Sequence, residues 1–286
     1  MTSERLAFSH KDLLYERMRA IDIPISEYSF PNAYLFRDAH RYEVLLDREI
    51  FLRGLSYDGH TYLMPTRTVK DIDPSYLKEL AATVGFLFPI PEIWLPFFDE
   101  QDYEFHCREG DTDYVYTVAK MSTYPGRHLH KKRNLLKRFV SDYNHQEMPL
   151  TKERIEHAIS ILDEWHADTG LDSVETDYAP CLEALKMYDE LVLCGGIYYA
   201  DNEPAGFIIG EELNDETFVL HFAKARKKFR GIYQYMFSSF AKVLPGKYRY
   251  LNFEQDLEKE TLRIAKSSYL PDLLLRKMRV SVRKEK

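Results

Sequence analysis

The sequence is short of cysteine, of glycine and of long apolar runs, and each shortage excludes a class of protein. Its 286 residues include three cysteines, Cys107, Cys181 and Cys194, which form no CxxC pair or other zinc-binding spacing. We interpret them as reduced thiols of a cytoplasmic protein. Glycine is scarce, with 12 residues, whereas tyrosine is abundant, with 21. This composition does not favour a simple glycine-rich phosphate loop as the basis of function.

No segment has the pattern of a membrane span or of a signal peptide. The most apolar stretch, residues 86–98, contains three prolines and one glutamate and is shorter than the ~20 residues that a spanning helix needs. Charged residues interrupt the N-terminal segment every few positions, which excludes the apolar core of a signal peptide. The sequence therefore predicts a soluble protein with at most peripheral membrane contact.

What the sequence does contain is enough apolar material for two domains. Hydrophobic residues make up 45% and aromatic residues 14% of the chain, which excludes a disordered protein. At ~100–200 residues per domain, the length predicts two compact units. The net charge is −7, from 39 basic and 46 acidic side chains, but two stretches, 127–138 and 276–286, are locally basic. Such patches favour a phosphate-bearing ligand over bulk binding of a polyanion. A solvated helix face is the structural alternative for the first stretch, and we interpret the second as a frayed terminus.

The pattern of apolar residues predicts a mixed α/β protein in each half. In the first half it predicts strands over 42–46, 50–55, 61–64, 86–90, 103–107 and 114–118, with a hairpin turn at Asp58-Gly59 and a helix over 75–83. A basic helix is expected over 125–143. The second half reads as two helices, a meander of three antiparallel strands, a basic loop, a helix, a strand over 248–253 and a helix over 258–267.

The basic loop before the predicted helix of the second half is one candidate binding site. A helix N-terminus offers unsatisfied N–H groups to a phosphate, and Arg230, Gly231, Ile232 and Tyr233 lie at this point. The element resembles the loop by which GNAT acyltransferases hold the pyrophosphate of coenzyme A, although Tyr233 stands where that loop has a small residue. A surface loop with solvated lysines explains the sequence equally well.

A polar segment near the C-terminus is the second candidate. Asn252, Glu254 and Asp256 follow a predicted strand, while Arg263 and Lys266 share a helical face. A carboxylate here could act as a general base, and Arg263 or Lys266 could hold an anion. From composition alone, a structural cluster of ion pairs is the favoured interpretation.

Two motifs, the second of which consists of two parts, favour a functional site over a structural cluster of ion pairs. The segment Tyr124-Pro125-Gly126-Arg127-His128-Leu129-His130-Lys131-Lys132-Arg133-Asn134, taken with Asn252-Phe253-Glu254-Gln255-Asp256 and Leu262-Arg263-x-x-Lys266-x-Ser268-Tyr269-x-Pro271, resembles a soluble family related to the C-terminal domain of bacterial phosphatidylglycerol lysyltransferases. Phe253 and Leu257 are mild departures from the family pattern.

The resemblance implies an α+β fold of two tandem GNAT-like domains, as in Fem-type transferases, each a mostly antiparallel mixed sheet flanked by helices. We place these domains at 1–124 and 149–286, joined by a basic bridging helix at 125–148. The resemblance implies catalytic roles for Glu254, Asp256 and Lys266. It implies binding roles for Asn252, Arg263, Tyr269, Lys131, Lys132 and Arg133, beside the Gly231 loop.

Two classes of function follow. The first is an acyl- or aminoacyl-transferase that moves a group from a coenzyme A thioester or an aminoacyl-tRNA to an amine or hydroxyl, on a small molecule or a lipid head group. The basic stretch 127–138 would contact the tRNA, and we expect no metal and no tightly bound cofactor. The alternative is a non-catalytic module that binds a nucleotide, an anionic lipid head or tRNA, for which we expect a cleft plugged by tyrosine or phenylalanine side chains.

Overall fold

A computed structural model describes residues 2–284, so Met1, Glu285 and Lys286 lie outside the described residues. Lys286 belongs to the predicted basic terminus. The strands, in chain order, are β1 (Thr2–Arg5), β2 (Glu43–Leu46), β3 (Ile50–Leu55), β4 (Thr61–Pro65), β5 (Phe86–Pro91), β6 (Tyr103–Cys107), β7 (Asp113–Thr117), β8 (His145–Pro149), β9 (Cys194–Ala200), β10 (Glu203–Glu212), β11 (Thr217–Ala225), β12 (Tyr250–Asn252), β13 (Leu273–Leu275) and β14 (Lys277–Val282).

The helices are α1 (Lys11–Arg19), α2 (Phe30–Leu35), α3 (Arg37–His40), α4 (Pro74–Ala81), α5 (Val118–Thr123), α6 (His130–Asp142), α7 (Ile155–Thr169), α8 (Tyr178–Lys186), α9 (Ile232–Val243) and α10 (Glu260–Ser267). Short 3-10 turns occur at Phe8–His10, Val69–Asp71, Glu92–Phe97, Glu109–Asp111, Lys152–Arg154 and Ser173–Glu175. The sequence explains several helix ends. Asp73 accepts from the N–H of Tyr76 to begin α4, and Gly170 adopts a left-handed φ of 65° to end α7.

The chain divides into two compact units, and neither is a continuous segment. The first comprises 1–114, 254–266 and 273–286, and the second comprises 115–253 and 267–272. This division differs from the predicted ranges 1–124, 125–148 and 149–286. The basic helix α6 lies within the second unit, and the polar segment 254–266 belongs to the first unit.

The sheet of the first unit has the strand order β1-β2-β3-β4-β5-β14-β6. Every neighbouring pair with a described register is antiparallel except β4–β5, which is parallel. The central strand β5 is buried along its whole length, whereas the edge strand β1 is exposed. This gradient is typical of a sheet covered on both faces at its centre.

In the second unit the strands follow the order β7-β12-β11-β10-β9-β8. Strands β8 to β11 form an antiparallel meander, and β12 pairs in parallel with the first three residues of β11. A register shift in β10 lies at Ile209/Gly210. Helix α6 packs against α9, with the rings of Phe139 and Tyr235 stacked at 4.6 Å.

These sheets confirm the predicted α+β class with two mixed, mostly antiparallel sheets flanked by helices. The predicted strands 50–55 and 103–107 match β3 and β6 residue for residue. The prediction of a frayed C-terminus was wrong, because β14 lies between β5 and β6 as an interior strand. The alternation of Met278, Val280 and Val282 with polar residues is the period-2 signal that would have predicted a strand there.

Candidate active site

The polar segment after β12 has an unusual backbone. Glu254, Leu257 and Glu258 adopt left-handed φ angles of 57°, 54° and 59°, which side chains other than glycine rarely adopt. Backbone hydrogen bonds hold the segment in place: Tyr114 N–H donates to the carbonyl of Glu254 (3.2 Å), and Leu257 N–H donates to the carbonyl of Gly110 (3.0 Å). Such conformations cluster at functional sites.

Gly110 is the residue that permits this close approach. A Cβ atom at position 110 would lie 2.3 Å from Cγ and 2.8 Å from the backbone nitrogen of Glu258. Any larger residue would therefore push the 254–258 segment away. The segment is thus held by a glycine contact and by a strand-end hydrogen bond before any side chain is considered.

Asp256 stabilises the same turn. Its buried carboxylate accepts from Tyr114 Oη (2.8 Å), from Arg263 Nε (2.8 Å) and from the N–H of Glu258 (2.8 Å). Burial opposes its ionisation, but the hydrogen bonds from Arg263 and Tyr114 outweigh burial and lower the pKa of Asp256. Both carboxylate oxygens accept within the protein, so Asp256 is an anchor for this segment and a poor proton acceptor.

Lys266 anchors the segment from α10. Its Nζ donates to the backbone carbonyl of Gln255, and it is half-buried. Burial lowers the pKa of Lys266 to about 8, while the carboxylate of Glu254 works in the opposite direction. The ammonium of Lys266 therefore has a partner within the protein, the main chain of residue 255.

A buried cluster that the sequence reasoning missed lies on the other side of Gln255. The ammonium of Lys277, on β14, is fully buried. It contacts Glu27 Oε2 and Asp113 Oδ1, each at 2.6 Å, and donates to Gln255 Oε1 at 2.9 Å. Ser26 completes the cluster, because its N–H and Oγ donate to the two carboxylate oxygens of Asp113 (2.9 and 3.0 Å).

The charges in this cluster shift its pKa values. Burial raises the pKa of Glu27 to about 7, against the opposing effect of Lys277. For Lys277 burial favours the neutral amine, but Asp113 and Glu27 outweigh burial and raise its pKa. Sequence alone gave no signal for this cluster, since its members come from positions 26–27, 113, 255 and 277.

Glu254 faces a cleft in the first unit. The cleft is open to solvent, and the volume that the centres of water-sized molecules can occupy in it is about 60 Å³. Its carboxyl groups are those of Glu27, Asp111 and Glu254, and its rings are those of Phe36, His40, Tyr42, Tyr57, Tyr62 and Phe88; Asn32, Ser56, Gln255, Leu257 and Arg279 complete the lining. Asn32 Nδ2, on α2, donates to Glu254 Oε1 at 2.9 Å. The cleft therefore combines carboxylates with aromatic walls.

The positive charge in the cleft is neutralised by the protein itself. Arg279 donates to Asp111 (2.8 Å) and to Asp58 (2.8 Å), and its guanidinium lies 4.6 Å from the ring centre of Phe86. Burial lowers the pKa of His40, whose Nδ1 is 2.9 Å from the carbonyl oxygen of Leu55. Lys277 and Arg279 pair with Glu27 and Asp111, so Glu254 and the aromatic rings are the features of the lining that suit a cationic ligand.

The Gly231 loop lies in the second unit and has a structural explanation. Gly231 has a φ of 91° at the start of α9, and a Cβ there would lie 2.4 Å from the carbonyl oxygen of Leu135 on α6. Ile232 is buried, and Tyr233 is buried enough that desolvation raises its pKa to about 12. Arg230 is exposed. The glycine thus permits close packing of two helices.

The basic stretch 127–138 divides into two groups. Arg133 donates to the carbonyl of Gly126 (2.9 Å) and Lys132 to Ser268 (2.7 Å), with the Lys132 ammonium 3.8 Å from the ring centre of Tyr269. Burial lowers the pKa of Lys132. The side chains exposed to solvent are Arg127, His128, His130, Lys131, Lys137 and Arg138.

The structure therefore brings four of the predicted residues together in the first unit: Glu254, Asp256, Arg263 and Lys266. Asn252, at the end of β12, is fully buried in the second unit. Tyr269 is also buried there, and its Oη accepts from Gln234 Nε2 at 2.7 Å. Within residues 2–284, no helix is long and apolar enough to cross a membrane.

The chain thus forms two units with mixed sheets, the first of which contains a cleft lined by carboxyl groups and aromatic rings. A sequence profile of the phosphatidylglycerol lysyltransferase C-terminal family matches residues 19–280. The chain belongs to this family. An uncharacterised protein of Mycoplasmoides gallisepticum is 25% identical over 184 residues, which is 61% of this chain and 57% of that relative's length.

Three solved structures have the same fold. A conserved protein of unknown function from Bacteroides thetaiotaomicron superposes with a TM-score of 0.85 at 23% identity, covering 99% of this chain and 100% of that one. The L-PGS protein of Bacillus licheniformis gives 0.57 at 15% identity, covering 92% and 93%. FemX gives 0.59 at 8% identity, covering 99% and 98%. The Fem-like and lysyltransferase-like fold expected from the motifs is confirmed.

Proposed function

We propose that the protein is an aminoacyltransferase that moves an amine-bearing acyl group from aminoacyl-tRNA to an amine or hydroxyl acceptor. The observation that carries this proposal is the cleft of the first unit, where Glu254 faces the same space as a set of aromatic rings. Carboxylates and aromatic faces both attract an ammonium group. An acetyl group has no charge to exploit such a cleft, whereas an aminoacyl group carries an amine.

Glu254 is the residue that we assign to proton transfer. It lines the cleft, is half-buried, and is oriented by Asn32. In the reaction, the acceptor nitrogen or oxygen bonds to the carbonyl carbon and the ester bond to the tRNA breaks. The acceptor's proton passes to Glu254, and the released tRNA hydroxyl takes up a proton. Asp256, Arg263 and Lys266 act by fixing the segment that presents Glu254.

The choice of tRNA over coenzyme A rests on the second unit. Basic side chains of the loop before α9 are bonded to protein groups: Arg226 to Glu164 (2.9 Å), Lys227 to the carbonyl of Asp168 (3.0 Å) and Lys228 to Glu203. The α6 stretch has several exposed cations, of which Arg138 is paired with Asp142, and they suit a polyanion that binds from solvent. Lys131 belongs to that surface, and a cytoplasmic location, where aminoacyl-tRNA is made, is part of the proposal.

The binding-module alternative predicts a cleft plugged by aromatic side chains. The rings of Tyr42 and Tyr62 instead form its wall, with their hydroxyl oxygens 2.7 Å apart, beside open space. This favours a cleft that accepts a ligand.

A transfer assay tests the proposal. The full chain is incubated with labelled lysyl-tRNA or labelled acetyl-CoA, with phosphatidylglycerol vesicles or a small primary amine as acceptor. We expect label to leave the tRNA and appear on an acceptor, and we expect little transfer from acetyl-CoA. Transfer from acetyl-CoA alone would contradict the choice of donor. No transfer from either donor, with no rise in melting temperature on adding L-lysinamide, would contradict the function.

A further inference from the structure

The buried ammonium of Lys277 has four acceptor oxygens within hydrogen-bonding distance, one more than its three hydrogens. Glu27 and Asp113 supply two acceptors at 2.6 Å, the side-chain oxygen of Gln255 lies at 2.9 Å, and Ser26 Oγ lies at 3.3 Å. The bond to Gln255 joins this buried cluster to the 254–258 segment.

Gln255 is bonded to lysines from two elements. Lys277, on β14, binds its side-chain oxygen, while Lys266, on α10, binds its backbone carbonyl. An ammonium bonds only to an acceptor, so Lys277 also fixes which way the amide of Gln255 points. Residue 255 is thereby held at both its main chain and its side chain.

Glu254, the residue before Gln255, has a left-handed backbone conformation and lines the cleft. Such a conformation is disfavoured for a glutamate and persists where its surroundings impose it. The backbone bonds of Tyr114 and Gly110 hold the ends of the segment, while the two lysines hold its middle.

We propose that Lys277 is a positioning residue: together with Lys266 it clamps Gln255 and so keeps Glu254 in the left-handed conformation that directs its carboxylate to the cleft. This inference rests on the proposed function only in treating the cleft as the substrate site. The effect of the two lysines on the backbone conformation at Glu254 can be tested without a substrate.

The obvious variant, Lys277→Met, leaves the carboxylates of Glu27 and Asp113 buried without their cation, and it risks loss of the fold. Gln255→Met is the sharper change, because it removes the acceptor while the ammonium keeps both carboxylates. Gln255→Glu restores an oxygen at that position. Gln101→Met, at an exposed position of the same unit, is the matched control.

The first measurement is the rate of hydrogen exchange at the backbone amide of Leu257. This N–H belongs to the 254–258 segment and donates to the carbonyl of Gly110. We expect exchange at least tenfold faster in Gln255→Met than in the wild type, wild-type exchange in Gln101→Met, and a return toward the wild-type rate in Gln255→Glu. Wild-type exchange in Gln255→Met, with an unchanged circular dichroism spectrum, would overturn the clamp.

The second measurement separates the clamp from the proposed function. In the aminoacyl transfer assay with lysyl-tRNA, a positioning role lowers kcat in Gln255→Met more than it raises KM, and Gln255→Glu recovers part of the loss. Faster exchange in Gln255→Met combined with a wild-type protein that transfers nothing would leave the clamp supported and the aminoacyltransferase proposal refuted. An equal kcat in Gln255→Met and the wild type would overturn the role of the clamp in presenting Glu254.

Discussion

Replacing Asp256 tests whether this residue anchors the segment or takes part in the chemistry. The resemblance to the lysyltransferase family implied a catalytic role for this carboxylate. The structure leads to a different expectation, because the carboxylate is buried and accepts from Tyr114, Arg263 and the N–H of Glu258. Asp256→Ala is therefore expected to destabilise the protein as well as to reduce transfer.

The size of the effect follows from these contacts. Removing one partner of a buried ion pair costs about 3–5 kcal/mol, and Arg263 is partly exposed, so water recovers some of its solvation. We expect Asp256→Ala to lower the free energy of unfolding by about 3 kcal/mol. Asp256→Asn keeps the shape and one acceptor oxygen, so it should cost about 1–2 kcal/mol.

The assay is urea unfolding followed by circular dichroism, with Asp12→Ala, at an exposed position in the first turn of α1, as the control. The pKa of Asp256 is lowered from its ordinary value of 3.8. Its contribution is therefore present above pH 3.8 and is lost as the pH falls through the folded-state pKa. The gap between wild type and Asp256→Asn should narrow below pH 3.8. Wild-type stability of Asp256→Ala at pH 7, together with lost transfer, would refute the anchoring role.

Three further predictions concern other parts of the molecule. Because burial raises the pKa of Glu27 from 4.5 to about 7, the wild type should lose stability as the pH rises across that interval, by at most about 3 kcal/mol. Glu27→Gln should abolish this dependence of the melting temperature on pH. An unchanged dependence in the variant would contradict the assignment of the raised pKa to Glu27. Gly231→Ala should destabilise by about 1–3 kcal/mol because its Cβ meets the Leu135 carbonyl oxygen, whereas Gly126→Ala, also at positive φ but in open space, should cost less; equal costs would contradict the packing explanation. Binding of lysyl-tRNA should weaken steeply with salt, with a log–log slope on the order of −2 to −3 if about three phosphates contact α6, and a slope near zero would contradict tRNA contact there.

Local patterns predicted the strands well because short apolar runs, alternating in β6 and nearly continuous in β3, are bounded by polar and turn residues. Residues 50–55 and 103–107 were delimited correctly, and Asp58-Gly59 forms the turn between β3 and β4 with a φ of 84° at Gly59. Such a pattern is visible in the residues of the strand itself, so the strand can be predicted without knowledge of the fold.

The candidate site was less accessible from sequence because its partners are distant along the chain. Glu254 and Asp256 were recognised from their motif. Lys277 was assigned to a frayed basic terminus, and its burial depends on Glu27 and Asp113, which lie 250 and 164 positions earlier (277 − 27 and 277 − 113). A charged residue is stable in the interior only when such partners are present. Nothing in the local pattern around residue 277 identifies them.

The central claim is that Glu254 in the cleft of the first unit takes the proton during aminoacyl transfer. The most direct measurement is the rate of transfer from labelled lysyl-tRNA by Glu254→Gln, compared with wild type and with Glu104→Gln at an exposed position of β6. We expect a fall in kcat of about 10²–10⁴-fold for Glu254→Gln, with a melting temperature close to that of the wild type and with Glu104→Gln within twofold of the wild type. Wild-type transfer by a folded Glu254→Gln protein would show that Glu254 does not take the proton.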